Sequence, residues 1–501
     1  MRRLLLIGAW LLLATTSGHA AGTLRFGLDF DPDVLDPARS GSYIERVISN
    51  SMCDQLIDID AGLNLIPALA TAWEWSPDRL ALTLHLRDGV VFQDGAVFDA
   101  AAVKANLERY RTAPYSLRKG ELQPVLGEDV LDPHTLRIRL STPYTPLLAL
   151  LANRSGTMLS PRILDKTPEE IAAHPVCAGP FAFKERVAQD HITLERFPGY
   201  WNAKAVSLDR IVFQVIVDPS VRLANLQAGT LDIANRLSAT DIGAVSQDKR
   251  LRLMQSRSIG FEMLSLNVAH GPAADTPFGR DPRVREAFEK SIDRAALNQV
   301  VFDGHFIPSN QTEAPGSRYW DPAHPVPPRD LAGAKALLAA AGLKTVKVKL
   351  LVADDPVYVQ VGEIIQAMAG EAGFDVTVQK SEAVAQVQTA RSGDYQAALV
   401  IWSGRPDPDG NTSIWMRCGA PLNWTGECNK SLDDALTRGA TATEFADRFA
   451  AYHEANDIWM KDRPYMVLYH FNWFWGLSSK VDGFAPRPDG LFRPIGLTLR
   501  P

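Results

Sequence analysis

The chain has 501 residues, 46% of them hydrophobic, and a formal net charge of −6. At roughly 100–200 residues per domain, this predicts two or three domains with ample apolar material for large cores. The mildly acidic balance speaks against a nucleic-acid surface, so no nucleic acid is expected among the partners.

The first segment reads as a targeting signal. Arg2 and Arg3 form a positive start, residues 4–14 are an apolar run too short to cross a bilayer comfortably, and Gly18-His19-Ala20 is a small-x-small cleavage site. We therefore expect residues 1–20 to be a signal peptide cleaved near Ala20 and the mature chain to reach a bacterial periplasm. No Cys follows the apolar run, so no lipid anchor is implied, and no later stretch approaches 18 consecutive apolar residues.

Strand-like alternation covers 23–30, with Leu24, Phe26, Leu28 and Phe30 on one face. Residues 43–56 have helical spacing, with Ile44, Val47, Ile48 and Met52 together. A hairpin is predicted over 73–86 around the turn Ser76-Pro77-Asp78. Asp99 is a candidate N-cap for a helix to Tyr110, and 135–140 alternates again. Further strands are predicted over 192–196 and 210–217, and a helix over 219–227 stopped by Gly229. Two separate strands follow at 251–256 and 261–267. Asp281-Pro282 pairs an N-cap with a proline at the first helical position, and Val284, Phe288, Ile292, Ala296 and Val300 repeat every four residues behind it. A helix over 331–341 ends at Gly342. Strand 346–351, helix 357–371, strand 376–379 and the apolar run 397–401 then form a β-α-β alternation, which implies a parallel sheet. Two more strand-like runs close the pattern at 465–469 and 472–477, the latter carrying Trp473, Phe474 and Trp475.

The four cysteines are even in number, and an oxidising compartment permits disulfides. Cys418 and Cys428 bracket the turn-rich loop GAPLNWTGE, where a bridge would contribute about 2–3 kcal/mol. Cys53 and Cys177 either form a second pair or remain two small buried thiols. No CxxC spacing points to zinc.

The organising stretch is 394–411, DYQAALVIWSGRPDPDGN. A continuous apolar run bounded by turn signals fits a strand buried on both faces. It leaves the sheet at Trp402 through Ser403-Gly404, and then presents Arg405. Open α/β sheets bind ligands at that carboxyl end of the strands. No catalytic constellation accompanies it: G-x-S-x-G, H-E-x-x-H, the P-loop and G-x-G-x-x-G are absent. His453-Glu454 lacks the second histidine of a zincin motif. Asp407 and Asp409 read as turn formers around Pro408 rather than as the acid and base of a secreted hydrolase.

Five segments, taken in order, resemble one known family. They are LIPALATAWEWSPDRLALTLHLRDGVVFQDGAVFDAAAVKANLER (65–109), HPVCAGPFAFKE (174–185), ERFPGYW (195–201), LDRIVFQVIVDPSVRLANLQAGTLDIA (208–234) and DPRVREAFEKSIDRAAL (281–297). Together they are similar to the family 5 bacterial extracellular solute-binding proteins of peptide, nickel and opine ABC importers. In the second segment Cys177 and Ala178 stand where the family's box has Gly and Thr. The resemblance implies an α/β, two-lobe periplasmic binding protein fold of the class II, cluster C type, with an extra inserted subdomain in the first lobe. Lobe I would comprise 21–53, 174–260 and 472–501, the insertion 54–173, and lobe II 261–471. The crossings would fall near 258–261 and 471–477.

It also implies a function without catalysis or cofactor: a monomer that captures a small peptide-like or anionic solute and delivers it to membrane permease subunits. A nickel-chelate or haem binder of the same fold is the alternative. The expected ligand-binding residues are Tyr43, Phe261, Trp402, Arg405, Asp407, Asn411 and Trp424, with the loop 311–319 beside them; no metal ligands are expected. In peptide-binding relatives the position three after this Trp often carries an Asp that pairs the ligand's α-ammonium. Here it is Arg405, which favours a carboxylate instead. The competing reading pairs Arg405 with Asp407 or Asp409, places Tyr43 at the surface and Phe261 in the core.

Overall fold

The computed structural model describes residues 22–500; the expected signal segment lies outside them. One eleven-stranded sheet runs through the molecule. In spatial order its main path is Phe374–Ser381, Val346–Ala353, Ala397–Trp402, Leu251–Leu266, Tyr465–Ser478, Ile233–Ala234, Thr23–Leu28, Arg210–Val215, His191–Arg196 and Phe181–Val187. The short strand Ile307–Pro308 pairs with Tyr465–Ser478 off this path.

The β-α-β expectation over 346–402 holds. Val346–Ala353 pairs in parallel with both Phe374–Ser381 and Ala397–Trp402, with the helix Pro356–Gly370 between the first two. Apolar cores cover both faces of these strands. Val348, Leu350, Ile365 and Phe374 pack on one side, and Trp402, Trp415, Trp459 and Tyr465 on the other. A separate core surrounds Thr23–Leu28 and the helix Tyr43–Met52, closed by Trp473 and Trp475 from the late strand. A second, four-stranded sheet, in the order Ala70–Trp75, Ala81–Leu86, Thr135–Leu140 and Val125–Asp132, buries its own core with the helix Ala100–Thr112.

Local signals acted as their chemistry demands. Asp99 accepts from Ala102 N, and Asp218 from Val221 N ahead of Pro219; Gly229 ends that helix in the left-handed conformation. Three expectations are corrected. The runs 251–256 and 261–267 are one strand, Leu251–Leu266, with a register shift between Arg257 and Phe261; 465–469 and 472–477 are likewise one strand, Tyr465–Ser478. Each passes from one core to the other, so its composition changes midway while its backbone continues. The four-residue repeat from Val284 to Val300 spans two helices, Pro282–Ser291 and Arg294–Phe302. Asp293 caps the second by accepting from Ala296 N, which resets the phase and leaves Val300 exposed.

Both cysteine pairs are disulfides, Cys53–Cys177 and Cys418–Cys428. This settles the first pair in favour of bonding. No helix among the described residues is long and apolar enough to cross a membrane.

Candidate functional site

The strand Ala397–Trp402 is buried along nearly its whole length, and Trp402 pairs with Phe261 in antiparallel register. The chain then turns through Gly404 at φ +77°. A Cβ there would meet Ile259 O at 2.3 Å, and one on Gly260 would meet Trp402 O at 2.4 Å. The turn therefore passes the strand's irregular point backbone against backbone, which only glycines permit.

The turn delivers Arg405, which is buried, with its guanidinium 4.2 Å over the Trp402 ring. Nη1 donates to Gly404 O at 2.7 Å and to Ser403 Oγ at 3.4 Å. Nε and Nη2 donate to no group among the described residues. The expected alternative partners are engaged elsewhere. Asp407 forms a two-pronged ion pair with Arg448, at 2.8 and 2.9 Å, and Asp409 accepts from Ser413 Oγ at 2.5 Å. The ion pair of Arg405 with either Asp is not formed.

Asn411 holds this turn in shape. Its Oδ1 accepts from Trp402 Nε1 (3.2 Å) and Arg405 N (2.7 Å), and its Nδ2 donates to Glu313 Oε1 (2.8 Å) and Arg405 O (3.0 Å). That uses both donors and both acceptor sites of the amide, so Asn411 positions Trp402 and Arg405 and has no capacity left for a ligand. Burial pushes the Glu313 carboxyl up to about 7. Phe261 and Trp424 depart from their expected role: Phe261 is 0% exposed within the core, and Trp424 packs edge-on against Trp415, which packs edge-on against Trp402. Both serve core packing, where large rings bury the most apolar area.

The facing wall comes from the helix Tyr43–Met52, started by Ser42 Oγ accepting from Ile44 N. Tyr43 stacks on Trp473, ring centroids 5.0 Å apart, and its hydroxyl donates to Gly490 O at 2.5 Å. Three residues on, Arg46 Nη1 donates to Ser403 Oγ at 3.0 Å, so the hydroxyl beside Arg405 also receives a guanidinium from a helix of the separate core around Thr23–Leu28.

Two more arginines stand close by. Arg154 donates to Glu45 at 2.7 Å and to the Ser42 carbonyl. Arg118 pairs with Glu121 at 2.5 Å, and Ser155 Oγ donates to the same carboxylate at 2.7 Å. Four buried guanidiniums thus stand close together, with Glu45 and Glu121 paired among them and Asp489 also near Arg46. Burial, then the charges of Arg46 and Arg154, push Arg405 well below the usual arginine range, and burial and Arg154 push Arg46 down to about 10. Arginine does not give up its proton under ordinary conditions, so the shift expresses unrelieved positive charge. Arg46, Arg118 and Arg154 were not among the expected site residues.

Beyond Tyr43 and Trp473 lies a cavity lined by Asp29, Arg236, Glu262, Tyr358 and Trp473, among others. Arg236 bridges it, pairing with Asp29 at 2.9 Å and donating to Tyr358 OH at 2.7 Å. Burial pushes the Glu262 carboxyl up to about 8. None of these cavity-lining groups is a histidine. The buried His470 is held between the Gly260 and Gln311 carbonyls.

Known proteins share this architecture. The chain is 29% identical over 480 residues to the glutathione-binding protein GsiB of Salmonella paratyphi A, covering 91% of this chain and 90% of the relative. Among solved structures, the Helicobacter pylori periplasmic binding protein DppA in complex with the peptide STSA is 25% identical, with a TM-score of 0.87 over 96% of this chain and 98% of that one. The Agrobacterium tumefaciens binding protein AgaA, in complex with agropinic acid, is 24% identical, with a TM-score of 0.85 over 96% and 99%. The family model for bacterial extracellular solute-binding proteins, family 5, matches residues 64–422. With two lobes meeting across a charged enclosure and a match over most of its length, this chain belongs to the bacterial extracellular solute-binding proteins of family 5.

Proposed function

We propose that this protein is the periplasmic solute-capturing component of an ABC importer and that its solute is a small peptide-like or otherwise carboxylate-bearing anion. It closes around that solute, works no chemistry on it, and hands it to the permease subunits in the inner membrane. It acts as a monomer after loss of residues 1–20. The hinge lies where the strands Leu251–Leu266 and Tyr465–Ser478 pass between the cores, dividing the chain into 21–53, 174–260 and 472–501 against 261–471, with 54–173 inserted.

The observation that carries this reading is the unbalanced charge where the lobes meet. Arg46 and Arg405 converge on Ser403 from opposite lobes, and Arg405 keeps donors unused. Closing the lobes brings like charges together, and an anion between them removes that repulsion. Such a ligand prefers the closed form, which is what a ligand must do to shift the equilibrium. GsiB by its name binds glutathione, and AgaA was solved with agropinic acid; glutathione also bears carboxylates. A free α-ammonium would meet Arg405 rather than an acid.

A calorimetric and thermal-shift panel tests this: glutathione, short peptides, opine-type amino acid conjugates, their amidated counterparts, neutral sugars and nickel chelates. Binding only the native form raises the melting temperature. Carboxylate-bearing compounds should bind and their amides should not. Equal binding of acid and amide, or preference for a nickel chelate or a neutral sugar, overturns the reading, as does turnover of a bound compound.

A further inference from the structure

Three side chains with metal-ligating atoms converge, Asp321, His324 and His453, with Asp457 behind the two imidazoles. Asp321 Oδ2 lies 2.9 Å from His324 Nδ1 and is also in contact with His453 Nδ1. His324 Nε2 lies 2.9 Å from Asp457 Oδ1, and His453 Nε2 lies 3.7 Å from Asp457 Oδ2. The two imidazole rings are 5.1 Å apart. One ligand atom from each of Asp321, His324 and His453 falls within 4.8 Å of the others.

The group is built, not incidental. His453 and Asp457 sit one turn apart on one face of the helix Phe445–Asp462. The loop that brings Asp321 and His324 to it is pinned by Gln311, whose side chain donates to Asp321 O and His324 O and accepts from Asp321 N. Asp321 is 3% exposed, and its second oxygen accepts from Ala323 N. The His453 side chain is 39% exposed, which gives an ion an entry path.

We infer that Asp321, His324 and His453 form a site for one divalent transition ion, Zn²⁺ in particular, taken through the Nδ1 atoms while Asp457 orients the imidazoles from their Nε2 side. Two imidazoles and one carboxylate are a mixed nitrogen and oxygen set that suits zinc, with the fourth position open to water. The ion joins two segments that share no other covalent link. The loop carrying Asp321 and His324 also carries Glu313, which holds Asn411, and the helix carrying His453 also carries Arg448, which holds Asp407. Zinc therefore clamps the two supports of the Trp402–Asn411 turn without entering the cleft.

The test is zinc titration of the mature, tag-free protein stripped with chelator, followed by calorimetry and elemental analysis. One zinc per chain is expected, with affinity lost at least 100-fold in His324→Ala and in His453→Ala and retained in His191→Ala. Should either variant fail to fold, Co²⁺ added to the wild-type protein supplies the second readout, since a tetrahedral set of three protein ligands and one water gives an intense visible absorption. Absence of zinc binding, unchanged binding in both variants, or the weak spectrum of hydrated cobalt reduces the cluster to hydrogen-bonded ion pairs and overturns the inference.

Discussion

Arg46, from the helix Tyr43–Met52, and Arg405, from the turn after Ala397–Trp402, both donate to the single hydroxyl of Ser403, at 3.0 and 3.4 Å. One oxygen cannot neutralise two guanidiniums. A charge-assisted hydrogen bond contributes about 1.5–3 kcal/mol, and about 1.4 kcal/mol is tenfold in affinity. Arg405→Ala and Arg46→Ala should each weaken anion binding by tenfold or more. The two losses should not add, because both residues grip one group. Calorimetry on the single and double variants measures this; an unchanged dissociation constant in Arg405→Ala removes that residue from the site.

Asn411 predicts a different signature. Asn411→Ala removes four hydrogen bonds and leaves Trp402 Nε1 and the Arg405 amide without partners. Urea unfolding should show a loss of about 2–4 kcal/mol, and affinity should fall although Asn411 touches no ligand. Wild-type stability with reduced affinity would instead make it a contact residue.

The Asp407–Arg448 pair supports the same turn from beneath. Both side chains are largely buried, at 13% and 6% exposure. Removing one partner strands a buried charge, so Asp407→Ala should lose about 3–5 kcal/mol, whereas Asp407→Leu combined with Arg448→Met should recover most of it. Denaturant midpoints for the three proteins decide this; a double variant as unstable as the single one would contradict it.

Glu262 gives a pH dependence. Burial lifts its carboxyl to about 8, outweighing the opposing effect of the nearby Arg236; Asp355 raises it further, and the Tyr469 hydroxyl lies beside it. The unfolded chain loses this proton near the ordinary carboxylate value of about 4.3. The folded form holds it longer, so its contribution is complete below that value and declines as pH rises toward about 8. Glu262→Gln should match the wild type near about pH 5 and be more stable near about pH 9 by on the order of a few kcal/mol, read as a higher melting temperature. Parallel melting curves across that range would show that Glu262 ionises freely.

Much of the fold could be read from residue pattern because local chemistry and tertiary packing agreed. The β-α-β order from Val346 to Trp402 and the caps at Asp99, Asp218 and Asp281 are of this kind. The long strands were misread because Leu251–Leu266 and Tyr465–Ser478 each serve two apolar environments in turn. In the candidate site, the expectation for Trp402 and Arg405 rests on a ring and a cation at a strand's end. Phe261 and Trp424 carry the same residue chemistry, yet packing drew them inward, and no local pattern distinguishes the two outcomes. Arg46, Arg118 and Arg154 come from three distant segments. The one available hint was Glu45-Arg46 inside a helix whose residues are almost all buried, where charges need a specific partner.

The Cys53–Cys177 bond spans 124 residues and carries the entire four-stranded sheet inside its loop. Gln93, within that loop, reaches back to tie Met52 O and Phe181 O and accepts from Cys177 N. A protease that severs one peptide link anywhere in this ring releases nothing: the severed ends stay fastened to the body of the molecule. The cut protein should run at full length on a gel until a thiol reagent parts the two sulfurs, so a nick in this appendage would remain a local injury.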